Sequence, residues 1–105
     1  MSDLYAVIRE HGPAWDDSRA LEDQDGWPEH ARFMNGLAEE GFVELGGPLG
    51  EGGGRVLLAV RADSPDVIRA RFDADPWVPS GHLVITSIEA WEIRLDSRET
   101  YSQRK

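Results

Sequence analysis

Apolar positions change their period along this chain, and the changes mark out its elements. LYAVIRE (4–10) is apolar at successive positions and rich in strand formers, which predicts a strand with both faces covered. HGPAWDDSRALEDQDG (11–26) carries turn residues and charges with no clear period. A connection that long inside a compact domain is uncommon and often functional. From Trp27 the period becomes that of a helix. Trp27, His30, Met34, Leu37 and Gly41 share one stripe, flanked by Phe33, Ala31 and Ala38, while Glu29, Arg32, Asn35, Glu39 and Glu40 take the other side. Pro28 suits the first position of this helix, Glu29 favours the positive end of its dipole, and Gly41 suits its C-cap.

FVELGGPL (42–49) reads as a second strand, in which Gly46 and Gly47 mark a bulge or a close approach by ligand or backbone. GEGGG is a hairpin loop, and RVLLAVRA (55–62) is a third strand. Ser64 as N-cap, Pro65 at the first position and Asp66 in the first turn open a second helix. Pro76 ends it by disfavouring helical geometry in Asp75. HLVITSIEAWEIRL (82–95) closes the pattern as a long fourth strand. The order β-α-β-β-α-β predicts an α+β domain of ferredoxin-like type, a four-stranded antiparallel sheet with both helices on one face. Two helices cover one side of such a sheet. Strands 1 and 3 nevertheless place apolar residues at both parities, so a second copy of the sheet is expected to cover the open face in a homodimer.

His30 is the odd member of its stripe, an imidazole near the centre of a face that should be buried. On the second helix Ile68 and Phe72 define the inward line, and Asp75 falls close to it. Two inward polar groups on the same side of the sheet admit two roles. An aspartate accepting from one ring nitrogen fixes the tautomer and makes the other nitrogen a general base. Alternatively the pair is a buried hydrogen-bonded strut, since histidine is intermediate in its burial preference.

Composition narrows the partners. The chain has 105 residues and is 40% hydrophobic without a long apolar run, which suits one soluble domain, residues 1–96, with a polar tail, SRETYSQRK, at 97–105. Twenty acidic against eleven basic side chains give a formal charge of −9, a field that repels phosphate backbones and anionic lipid; no nucleic acid and no membrane are expected as partners. With no cysteine there is neither a disulfide framework nor a thiol nucleophile. The start MSDLYAVIRE has no signal-peptide pattern, and a cytoplasmic location is expected.

WPEHARFMNGLAEEG, GFVELGGPL, DADPWVPSGHL and IEAWEIRL together resemble the YCII-related (YciI-like) domain family, over roughly residues 4 to 95. The resemblance implies a ferredoxin-like protein that forms dimers of the α+β barrel kind. It also implies a His–Asp active-site pair, here His30 and Asp75 of the DPW triplet. Some members of the family carry lyase-type chemistry, such as dehydrochlorination of a hydroxylated aromatic ring, and the fold is shared with muconolactone isomerases. The residues departing from shorter members are those of the long first loop, together with extra tryptophans.

Other residues fill out the expected site. Arg9 at a strand end can orient an anionic substrate or simply be solvated. His11 follows strand 1 directly and either lines the pocket or occupies an exposed turn beside Gly12 and Pro13. Trp77 can wall a pocket and stack on a ring. Gly47 is a candidate for close substrate approach. Trp27 and Trp91 suit structural or interface roles. His11 and His82 lack metal-ligand spacing with His30, so no metal is expected. The function expected is a cofactor-independent proton transfer, of lyase or isomerase type, on a small hydroxylated compound, cyclic or aromatic. The alternatives are a non-catalytic dimeric domain binding a small molecule or a protein, and a cofactor-free oxygenase on the same barrel.

Overall fold

The computed structural model describes residues 3–97 and places the elements in the order β1 (Asp3–His11), a 3-10 turn (Leu21–Asp23), α1 (Trp27–Glu39), β2 (Val43–Leu49), β3 (Arg55–Ala62), α2 (Pro65–Phe72) and β4 (Leu83–Ala90). The four strands form one antiparallel sheet in the order β2-β3-β1-β4, the ferredoxin-like arrangement. No helix among the described residues is long and apolar enough to cross a membrane.

The helices begin and end where their local chemistry directs. Gly26 adopts a φ of 80° ahead of Trp27, and Gly41 does the same just past the end of α1. At α2, Ser64 Oγ accepts a hydrogen bond from the Val67 N–H at 3.3 Å. His30 and Leu37 are buried on α1, Ile68 and Phe72 on α2. Leu37, Ile68 and Phe72 close over Tyr5, Val7, Leu58 and Val60 on the inner sheet face.

Three features differ from the sequence reading. Helix α2 stops at Phe72, so Asp75 lies in the turn after it and not at its end. The Asp75 N–H bonds to the Phe72 carbonyl at 2.9 Å, and its carboxylate accepts the Trp77 N–H. An aspartate that binds the backbone two residues on favours a turn over helix continuation. Strand β4 ends at Ala90 and does not run to Leu95. The Trp91 N–H still reaches the Leu4 carbonyl at 2.9 Å, just past the Tyr5–Ala90 pair that ends the β1–β4 ladder. The irregularity of β2 falls between Val43 and Leu45, ahead of the glycine pair. Of the two expected roles, Gly46 has that of close approach: a Cβ there would stand 2.3 Å from Leu58 Cδ2 and 3.2 Å from the Leu57 carbonyl. A second irregularity puts the extra residue Thr86 of β4 between the partners of Ile8 and Arg9.

Leu45, Val84 and Trp91 remain exposed, and Leu45, Leu57, Ala59 and Trp91 line a shallow groove on the face opposite the helices.

Two glycines should respond in opposite directions. A Cβ on Gly12 would lie 2.3 Å from the Gly81 carbonyl, a backbone atom that cannot swing away. Gly12→Ala is expected to cost about 1–3 kcal/mol. Gly36 in α1 has nothing within 4 Å of such a Cβ, and Gly36→Ala is expected to gain about 0.5–1 kcal/mol. Urea unfolding midpoints of the two variants check both signs.

Candidate functional site

Three elements converge on one carboxylate. Arg9 points inward from β1, His30 inward from α1, and Asp75 comes from the turn after α2. His30 Nδ1 lies 2.9 Å from both Asp75 oxygens, and Arg9 Nη2 donates to Asp75 Oδ2 at 2.7 Å. Asp75 is wholly inaccessible and Arg9 nearly so. The backbone N–H of Trp77 adds a third donor at 2.9 Å, to Oδ1. Burial alone would push the Asp75 carboxyl up; the hydrogen bonds from His30, Trp77 and Arg9, with the Arg9 charge, outweigh that and hold it below the usual carboxylate range. A carboxylate facing Nδ1 makes that nitrogen the donor. The lone pair of the neutral ring then sits on Nε2.

The indole of Trp77 lies flat against the His30 ring, centroids 3.9 Å apart and planes within 9°. Its Nε1 is fixed by the Asp25 carbonyl at 2.8 Å. Trp27 stands 5.9 Å from both rings, and Trp15 meets Trp77 edge-on at 5.4 Å. These side chains bound a cavity of about 420 Å³, also lined by Arg9, His11, Asp17, Arg19, Met34 and Leu83. That volume suits a small ring-sized ligand, and the walls are apolar except at a few fixed points.

The structure brings His30, Asp75, Arg9, Trp77 and His11 together. Arg9 does so by holding Asp75. Its Nη1 reaches only Met34 Sδ at 3.6 Å, and its Nε is buried with no hydrogen-bond partner among the described residues. Gly47 is elsewhere. It lines the groove on the open sheet face, because a two-residue period puts it on the opposite side from Gly46 and Leu58. Trp27, read as structural, is a cavity wall, whereas Trp91 lies on the open face. His82 binds Ser80 Oγ at 2.7 Å and stacks behind Trp77. Among the described residues no group of three or more His, Asp or Glu side chains is placed to hold a metal ion.

Sequence reasoning missed how the long loop closes the cavity. Gln24 is buried at its centre, accepting from the Asp16 N–H at 3.0 Å and donating to the Asp16 and Arg19 carbonyls at 2.7 and 3.1 Å. This clamp turns an aperiodic segment into an ordered wall carrying Trp15. A lone amide among charges gives no periodic signal. The Arg9–Asp75 pair was equally hidden, since 66 residues separate its partners.

Asp75 sets an acid dependence. A carboxyl held below its unfolded value near 3.8 contributes stability that is present above that value and lost as pH falls through the lower, folded value. Asp75→Asn should remove that acid-side loss and, by leaving the Arg9 charge buried, cost about 3–5 kcal/mol at neutral pH. Urea unfolding of wild type and variant across pH 2–7 checks both.

No protein-family model matches the chain, and no curated protein matches it. Among solved structures it is similar to 5-chloro-2-hydroxyhydroquinone dehydrochlorinase from Burkholderia phenoliruptrix, in complex with 2,5-dihydroxybenzoquinone. The TM-score is 0.62 at 20% identity, over 85% of this chain and 93% of that one. At that identity the likeness is one of fold, and it places the chain beside a ligand-binding ferredoxin-like protein.

Proposed function

We propose that this chain is a small enzyme of the YCII-related (YciI-like) group that moves protons on a planar hydroxylated ring, in an elimination or an isomerisation. The observation that carries the reading is the hydrogen bond from His30 to a buried carboxylate, made at the wall of an aromatic cavity. His30 serves as general base or acid. Asp75 orients its ring and balances the charge it gains with a proton. Arg9 keeps Asp75 ionised and in place. Trp77 provides the flat surface on which a ligand ring and His30 can both be ordered. The chemistry needs neither metal nor organic cofactor. The dehydrochlorinase of similar fold, solved with a dihydroxybenzoquinone, supports the ligand class.

A second copy is proposed to cover the exposed Leu45, Val84 and Trp91 face, because a contiguous apolar sheet face is unfavourable in water. Leu45→Glu combined with Leu57→Glu should then convert dimer to monomer in sedimentation velocity. A wild type that already sediments as a monomer would remove the dimer from the reading.

The enzymatic reading is tested with 2,5-dihydroxybenzoquinone as ligand and chloride release from 5-chloro-2-hydroxyhydroquinone as assay. The wild type should bind the quinone with quenching of tryptophan fluorescence, and His30→Gln should stay folded while losing about 10²–10⁴ in turnover. Binding without turnover by the wild type favours a non-catalytic ligand-binding domain. Unfolding of His30→Gln favours the structural strut.

A further inference from the structure

A second imidazole lines the cavity, and the His30–Asp75 pair does not account for it. His11 ends β1 two residues beyond Arg9, so alternation puts both side chains on the helix-bearing face. Its ring is well held. It stacks on Trp15 with centroids 3.7 Å apart and planes within 10°, and the Gly53 carbonyl lies near it.

The two imidazoles have opposed surroundings. His30 faces a carboxylate, which balances charge when the ring takes a proton. His11 meets an indole and a carbonyl. Burial holds its imidazole below the usual value, against the smaller opposing effects of the Asp17 charge and the Gly53 carbonyl. The charged groups that line the cavity with it are Asp17 and Arg19 of the loop and Arg9, the last already committed to Asp75. Two imidazoles with such different neighbours in one cavity are placed to divide the work of base and acid.

His30 by itself is poorly suited to both halves of a transfer. Both Asp75 oxygens and the Trp77 stack fix its ring, so Nε2 can return a proton only near where it took one. We propose that the cavity is a two-imidazole site in which His11 removes a proton from the ligand and protonated His30 delivers one to a different atom. The proposal rests on the hydroxylated-ring reading above. In an isomerisation the ligand loses one proton to His11 and gains one from His30, and water resets both rings. In an elimination the electron pair left by the departing proton forms the new π bond. The C–X pair leaves with X, and the His30 proton neutralises it, so HX departs.

The test uses the whole chain labelled with ¹⁵N-histidine, with 2,5-dihydroxybenzoquinone as probe, and the pH profile of chloride release from 5-chloro-2-hydroxyhydroquinone. Addition of the probe should move the ring-nitrogen signals of both His11 and His30. The wild-type rate should be bell-shaped in pH. His11→Gln should lose its rising limb with a fall of about 10²–10⁴, and His30→Gln its declining limb. Probe shifts at His30 without His11, or a wild-type pH profile in His11→Gln, overturn the role of His11 and leave the ligand reading standing. A probe that moves neither ring overturns the ligand reading, and this proposal with it. The signal shifts are read on the wild type and do not depend on a variant folding.

Discussion

A carboxylate without access to water must be met by donors, or the fold that buries it does not form. Asp75 has three: a guanidinium from β1, an imidazole from α1 and the backbone N–H of Trp77. Each comes from a different part of the chain. The central strand, the first helix and the turn after the second helix must therefore all be in place before the charge is satisfied. Burying an ion costs several kcal/mol and is offset only by good geometry and full hydrogen bonding. This constraint positions His30, fixes its tautomer and sets Trp77 against it.

The aromatic walls depend on the same constraint. The turn that begins with Asp75 delivers Trp77 two residues later, with its indole parallel to His30. The indole N–H of Trp77 in turn ties down the long loop through the Asp25 carbonyl, while Gln24 knots that loop internally. Trp15 and Trp27 complete the enclosure. Charge interactions inside such walls are stronger than in water, because little solvent is present to screen them.

Several features were legible along the chain. Runs of strand formers between turn residues located the strands, a 3.6-residue stripe the first helix and capping residues the second, because burial and chain ends leave those imprints directly on sequence. His30 stood out for the same reason: a polar residue on an apolar stripe is a visible exception. The end of α2 was misplaced, since Pro76 forbids helix at Asp75 but does not reveal that Asp75 would already be folding a turn. The far end of β4 is not legible, because the alternation of Trp91, Ile93 and Leu95 with charged residues continues past Ala90, where the strand stops. Nothing in the sequence around Gly47 shows which sheet face it occupies.

The sequence by itself determined the order of elements, the ferredoxin-like class, the inward imidazole and the nearby inward carboxylate, all of them consequences of local period, capping and turn chemistry. Tertiary structure decided that Arg9 grips Asp75 and not a solvent ion, that Gln24 clamps the loop, and that His11 shares a cavity with His30. Those contacts join residues far apart in the chain through directional hydrogen bonds and ring stacking. Such interactions depend on distance and angle in space, for which a linear pattern carries no period.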